Sequence, residues 1–330
     1  MDSIPAGVGP GQPSRTSIVV AALRAFGARE PDAAVRNPDW LAERLISPAE
    51  LQLITEHPIS RAMMGDYEEG RRDVEVAGMQ NLMLVRTRFI DEHARTALQN
   101  GAKQLVILGA GFDTRPYRFA ELVKDKKVFE VDYASTQEIK KGRLAAASIP
   151  IPLNVNFVEI DFKKQSLRDV LSAAGYDASQ KAFFIWEGVS MYLAEQAVRE
   201  TLRAISSYAA SGSGLVMDFA EQAMVALLNK LPQLSQHNYT THWGEPWIFG
   251  VPDMRESEFF SECGLQLREI LSIMSRDSSK RYLTRSDGRS FGSVRGGPPE
   301  RDRFSAIAKL MWTFFTTKSR WYAVAKLDIP

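Results

Sequence analysis

The sequence predicts an α/β fold: a doubly wound, mostly parallel sheet preceded by a helical cap. Three observations carry this. After Gly101 short β-rich runs alternate with helical stretches, those runs are nearly all apolar, and a Gly-Ala-Gly turn follows the first run directly. Runs without polar alternation are expected of parallel strands covered on both faces. Strand-helix alternation places ligands at the carboxyl ends of the strands.

Residues 1–15 are rich in Gly and Pro and read as a disordered leader; they show no basic stretch followed by an apolar one. Residues 16–100 read as an almost wholly helical cap. Ser17 to Phe26 is Ala-rich with helical spacing of apolar residues, and Ser47-Pro-Ala-Glu50 has the pattern of a capped helix start. The segment from Val76 to Gln99 is a further helix, ending at Asn100-Gly101.

Residues 101–330 read as the core. Strands are expected at 104–108, 127–131, 156–160, 182–186 and 215–219, with a helix at 194–209. A helix at 256–263, closed by Gly264, then leads to a strand at 265–270. The polar, Gly-rich stretch from Ser275 to Pro299 reads as a loop or lid, followed by a helix at 302–315 and a last strand at 321–327. Insertions at about 221–257 and 275–318 are the expected substrate-pocket segments.

Composition narrows the function. The 330-residue chain has a formal net charge of +1, which argues against a nucleic-acid partner. No apolar run approaches the ~20 residues that span a bilayer. The single cysteine, Cys263, excludes an intrachain disulfide and suits the cytoplasm; it reads as a small buried hydrophobe. No metal-ligand spacing stands out.

Gly109-Ala-Gly111 lets the backbone turn tightly and a ligand approach closely. Thr114 occupies the place of the third glycine in the dinucleotide fingerprint, which weakens an NAD-dependent oxidoreductase reading. Asp132 ends the next strand about 20 residues on, where an acid accepts from ribose hydroxyls, and Asp161 ends the third strand, within reach of an adenine amino group. Either acid has a plainer reading as a helix-capping or structural Asp. The loop-acid-acid progression suits an adenosyl ligand without phosphates.

Leu108-Gly-Ala-Gly-Phe-Asp-Thr-Arg115, Phe129-Glu-Val-Asp132, Trp186-Glu-Gly-Val-Ser-Met-Tyr-Leu193 and Val85-Arg-Thr-Arg-Phe-Ile-Asp91 resemble, in order, the signatures of the leucine carboxyl methyltransferase family. The resemblance covers residues 16 to 220 and implies a seven-stranded Rossmann-like methyltransferase sheet with S-adenosylmethionine as cofactor. It implies that Arg86 pairs with the methionine carboxylate, that Gly109 and Gly111 lie under the methionine portion, and that Asp113 turns the loop. It further implies Asp132 on the ribose, Asp161 and Phe162 around the adenine, and Glu187 near the amino group and sulfonium. Asn37, before Pro38, departs from the Asp common in bacterial relatives.

The expected activity is O-methyl transfer to a small-molecule acceptor, a secondary metabolite such as a polyketide, with a carboxylate favoured over a hydroxyl. The alternative within the class is a protein C-terminal carboxyl methyltransferase. A carboxylate needs no general base; a hydroxyl needs one. His237 and His242 are the candidate bases, and Tyr192 the candidate acceptor contact. Tyr239, Trp243, Trp247 and Phe249 line an apolar pocket or belong to the core, and Arg281, Arg285, Arg289 and Arg295 attract an anion or form a solvated face.

Overall fold

A computed structural model describes residues 15–50, 61, 63–161, 165–230, 245–291 and 320–330. The described chain folds as α1 (Arg15–Ala28), α2 (Val74–Gln99), β1 (Gln104–Leu108), β2 (Lys127–Asp132), α3 (Ala134–Ala146), β3 (Val155–Glu159) and α4 (Leu167–Ala173). Then come β4 (Ala182–Trp186), α5 (Glu195–Tyr208), β5 (Gly214–Ala220), α6 (Gln222–Lys230), α7 (Glu256–Glu262), β6 (Gln266–Ser272), α8 (Arg276–Tyr282) and β7 (Tyr322–Asp328).

The strands form one seven-stranded sheet in the order β3-β2-β1-β4-β5-β7-β6. The first five run parallel, and β7 inserts antiparallel between β5 and β6. The apolar strand runs have the expected cause. Leu105 and Ile107 of β1 enter one buried apolar layer, whereas Val106 and Leu108 enter the other. A third apolar cluster joins α1 to the turn at Ala42–Leu45, to α2 and to Leu144 of α3, so the cap packs directly on the sheet domain.

The expected cap start at Ser47 is present. Its hydroxyl accepts from the Glu50 backbone N–H at 3.2 Å, and Glu50 accepts in return from the Ser47 N–H at 2.8 Å. Within the almost wholly helical stretch expected at 16–100, residues 29–41 are irregular. There Asp32 and Asn37 accept from the backbone N–H groups two residues on, at 3.0 and 2.9 Å, and the side chains outcompete helical bonding. The expected loop from Ser275 is also corrected, because the Ser275 hydroxyl caps α8 through the Ser278 N–H. The expected helix at 302–315 and residues 292–299 of the lid, including Arg295, lie outside the described residues.

Candidate active site

Register lays the site out along one edge of the sheet. Leu108 pairs with Val131 and Trp186, and Trp186 pairs with Met217. The residues that follow these four, Gly109, Asp132, Glu187 and Asp218, therefore stand in a row across β2, β1, β4 and β5. At ~4.8 Å per strand the row spans roughly 15 Å. It straddles the switch point between β1 and β4, where an open α/β sheet binds its ligand.

Gly109 and Gly111 have positive φ of 64° and 38°. A Cβ on Gly109 would stand 2.4 Å from Val189, so the loop after β4 can close on the turn only over a glycine. A Cβ on Gly111 would meet only the Gly109 carbonyl oxygen, at 3.8 Å, so space is open beside it. The Gly111 N–H donates to Asp132 at 2.6 Å, and the Tyr133 N–H donates to the same carboxylate at 2.7 Å. Burial pushes the Asp132 carboxyl above its ordinary range, against the pull of those two N–H groups. Asp113 turns the loop as expected: it accepts from the Arg115 N–H at 2.7 Å and pairs with the Arg115 guanidinium.

Arg86, carried by α2, is buried against this row. Its Nε faces Glu187 Oε1 at 2.8 Å, and its Nη1 donates to Asp218 and to the Tyr322 hydroxyl, both at 3.0 Å. Tyr322 in turn donates to Asp218. Asp218 also accepts from the Gly188 N–H at 2.7 Å, which fixes the turn after β4. Glu187 lies between two guanidiniums, with Arg115 Nη1 at 2.7 Å on its other oxygen and Arg24 at 3.9 Å. Burial alone would raise the Glu187 carboxyl; Arg115, Arg86 and Arg24 together outweigh it and hold the group well below the usual carboxylate range.

The sequence reading missed a second buried network. Arg115 Nε binds Asp91 at 2.7 Å, Arg118 binds the other Asp91 oxygen at 2.8 Å, and Asp39 pairs with Arg24 at 3.0 Å. Thr114 donates to Asp39, so the residue in the place of the third glycine ties the loop to the cap. Asp39, two residues after Asn37, carries the carboxylate of this segment. Asn37 itself is buried and accepts from the Asp39 N–H. A signal for Asp218 and Asp91 was available, since each is an acid inside an apolar run (Leu215 to Phe219, and Phe89-Ile90-Asp91). Tyr322 and Arg24 had none, because only tertiary packing brings them in.

Tyr192 ends a single turn, Ser190–Tyr192, after β4. Its hydroxyl faces Trp247 and Thr16 near Glu245, and burial pushes its pKa up to about 12, so it stays protonated at neutral pH. Trp247 stacks on Tyr322 with ring centroids 5.7 Å apart, whereas Phe249 is core. Asp161 follows β3 beside Asp132, its N–H donating to Gln165 at 2.8 Å and the Ile160 N–H reaching the Asp132 carbonyl. Phe162, His237, Tyr239, His242 and Trp243 lie outside the described residues. Arg281, Arg285 and Arg289 are not an anion-attracting face: they pair with Glu92 and Glu269, with Glu30, and with Asp287.

The row fits an adenosyl methionine ligand. Asp132 closes β2 beside the glycine turn, and open space adjoins Gly111. Glu187 Oε1 is shielded from solvent yet completes no hydrogen bond, which suits an ammonium donor. Among the described residues, Arg86 Nη2 makes no hydrogen bond, which suits a carboxylate. Asp132→Ala is expected to weaken S-adenosylhomocysteine binding about 10-fold or more in calorimetry, as loss of a charged hydrogen bond of ~1.5–3 kcal/mol would.

Comparison with known proteins agrees. A family model described as leucine carboxyl methyltransferase matches residues 17–206. The chain is 32% identical over 221 residues to the Bacillus subtilis (strain 168) protein named "Putative S-adenosyl-L-methionine-dependent methyltransferase YktD", covering 64% of this chain and 72% of that one. A Streptomyces coelicolor protein of the same description, SCO7813, is 31% identical over 210 residues, 64% of this chain and 70% of its own. A DUF574 family protein from Streptomyces avermitilis shares the fold at a TM-score of 0.50 and 16% identity, over 94% of this chain and 97% of its own. The match sets the oxidoreductase alternative aside. The chain belongs to the leucine carboxyl methyltransferase family and is an S-adenosylmethionine-dependent methyltransferase.

Proposed function

We propose that the protein methylates an oxygen, carboxylate or hydroxyl, of a small metabolite such as a polyketide, working in the cytoplasm. The observation that carries this reading is the pair of half-buried aromatic side chains beside the charged row. Trp247 stacks on Tyr322, which bonds Arg86, and the Tyr192 hydroxyl stands close enough to Arg86 to feel its charge, so apolar and polar surface adjoin the cofactor end of the row, as a small, partly apolar acceptor needs. Among the described residues no helix is long and apolar enough to cross a membrane.

The cofactor supplies a methyl group already activated on a cationic sulfur. The chain's own residues bind and align. Arg86 receives the carboxylate, Asp132 the ribose hydroxyls and Glu187 the ammonium, while buried ion pairs fix Arg86 and Glu187 and two backbone N–H groups fix Asp132. Orientation of this kind supplies several kcal/mol of barrier lowering. Tyr192, protonated, orients the acceptor oxygen by donating a hydrogen bond.

The test is a transfer assay with methyl-labelled S-adenosylmethionine, offering either a cell metabolite extract or a protein phosphatase catalytic subunit. Label in the small-molecule fraction is expected. Label confined to the protein's C-terminal carboxyl would contradict the reading.

A further inference from the structure

Beside Asp132 lies a buried charge pair that the cofactor contacts leave unused. Side chains two residues apart on a strand share a face, so Glu130 and Asp132 of β2 stand together, ~7 Å apart along the chain, while Phe129 and Val131 enter the apolar layer opposite. Side chains four apart share a helix face, and Thr136 and Lys140 of α3 are so placed. The two faces meet. Lys140 Nζ stands 2.6 Å from Glu130 Oε2, each side chain only 1% exposed, and one turn earlier the Thr136 hydroxyl bonds the Asp132 carboxylate. The Gln137 amide donates to the Val158 carbonyl at 2.8 Å and to the Glu130 carbonyl at 3.2 Å, which straps α3 across β2 and β3. The Tyr117 hydroxyl donates to the other Glu130 oxygen at 2.9 Å, and its ring centre lies 5.7 Å from Lys140 Nζ.

A buried ion pair gives a fold little net stability, because desolvation of both charges offsets their attraction. The charges around this pair suggest another use. Asp113, whose charge acts on Glu130 and Tyr117, has Arg115 for a partner. Glu159, opposite Asp132 on β3, is exposed, and Asp161 beyond it is a further acid. Among the described residues, Lys140 is therefore the one cation that pairs with an acid of β2. Its charge acts on Asp132 as well as on Glu130. Burial pushes both carboxyls above their ordinary range; at Asp132 the Gly111 and Tyr133 N–H groups, the Lys140 charge and the Thr136 hydroxyl oppose it. The state of Asp132 matters to a ribose. An ionised carboxylate only accepts hydrogen bonds, whereas a protonated one spends an oxygen on its own O–H.

We propose that Lys140 is a positioning residue for the cofactor: its buried ammonium, held by Glu130 beneath the Tyr117 hydroxyl, keeps Asp132 in the charged form that receives the ribose hydroxyls. This rests on Asp132 as the ribose acceptor and extends that reading to a side chain shielded from the ligand. The sign follows from the charges. Lys140 favours the ionised form of Asp132, so without it the carboxyl takes up its proton at a higher pH. Cofactor affinity is then lost earlier on acidification. Thr136, on the same helix face, fixes where the carboxylate points, and Lys140 fixes its charge.

The test is the calorimetric affinity of the full-length protein for S-adenosylhomocysteine over about pH 5–8, beside melting temperatures. Lys140→Met is expected to move the acidic fall in affinity upward by about one pH unit, which is about a 10-fold loss of binding on that limb. Lys140→Arg is expected to bring the fall back toward the wild-type position. The double variant Lys140→Met with Glu130→Gln removes both charges of the pair, so it leaves no orphaned charge to unfold the chain and no Glu130 titration to blur the profile. It is expected to show the same upward shift. A merely structural Lys140 would lower the melting temperature and leave the profile in place. A wild-type profile in the double variant, or a folded Lys140→Arg that shifts as far as Lys140→Met, would overturn the proposal. Wild-type affinity in Asp132→Ala would instead overturn the ribose assignment beneath it.

Discussion

Arg115→Ala is expected to destabilise the fold by about 3–5 kcal/mol, the cost of breaking a buried ion pair by removing one partner. By differential scanning calorimetry this is a fall in melting temperature on the order of 5–10 °C. The reason is local. Arg115 is almost fully buried and bonds three carboxylates, those of Asp91, Asp113 and Glu187, each itself shielded from water. Arg118 and Arg86 remain to serve Asp91 and Glu187, but Asp113 loses the one guanidinium that it faces among the described residues. Acid sensitivity is expected to change as well. Asp91 and Glu187 are buried, yet their guanidinium partners hold both below the ordinary carboxylate range. Their contribution to stability is therefore fully present above the unfolded value near ~4 and is lost as pH falls through the lower folded values. Removing Arg115 raises both folded values, so acid unfolding should begin at a higher pH than in the wild type. A variant as stable and as acid-resistant as the wild type would show that the network is not held in this way.

Arg86→Ala is expected to weaken S-adenosylhomocysteine binding at least 100-fold, which corresponds to about 2.7 kcal/mol. Two effects add. The carboxylate of the ligand loses its cation, and Asp218 and Glu187 lose the charge that orders them across the ends of β4 and β5. Burial already pushes the Asp218 carboxyl above its ordinary range, with the Glu187 charge adding to it and Arg86 opposing both. Without Arg86 that carboxyl gives up its charge more readily, and the Gly188 turn that it fixes loosens. Arg86→Lys is expected to restore only part of the affinity, because an ammonium cannot face Glu187, Asp218 and Tyr322 through separate, fixed N–H groups. Calorimetric affinities for the two variants, beside their melting temperatures, separate lost ligand contact from lost fold. Wild-type affinity in Arg86→Ala would remove this residue from the cofactor site.

The parallel sheet was legible because strands buried on both faces leave a simple trace: Leu105 to Leu108 has no polar alternation since Leu105 and Ile107 serve one layer and Val106 and Leu108 the other. The cofactor loop was legible because backbone conformation demands glycine at position 109, where Val189 excludes any side chain. The ends of the strands were legible for the same local reason, and Asp132 and Glu187 fall where the strand-to-loop rule puts them. The charge network was not legible, since it is assembled by tertiary contact. Thr114 read only as a missing glycine, yet its hydroxyl binds Asp39 of the cap, 75 residues earlier in the chain. Tyr322, 236 residues from Arg86, reaches it because β7 turns back antiparallel beside β5. The irregular stretch at 29–41 was not legible, because Asx turns at Asp32 and Asn37 compete with helical bonding yet leave no break in hydrophobic content.

S-adenosylmethionine is expected along the row of Asp132, Gly109 and Glu187, with Arg86 at its far end. A crystal structure of the protein with S-adenosylhomocysteine tests it most directly. The expected density shows the ribose hydroxyls on the Asp132 carboxylate, the homocysteine chain passing over Gly111, its ammonium on Glu187 and its carboxylate on Arg86. A ligand bound away from the carboxyl ends of β1, β2 and β4, with Arg86 paired only to Glu187 and Asp218 as before, would contradict it.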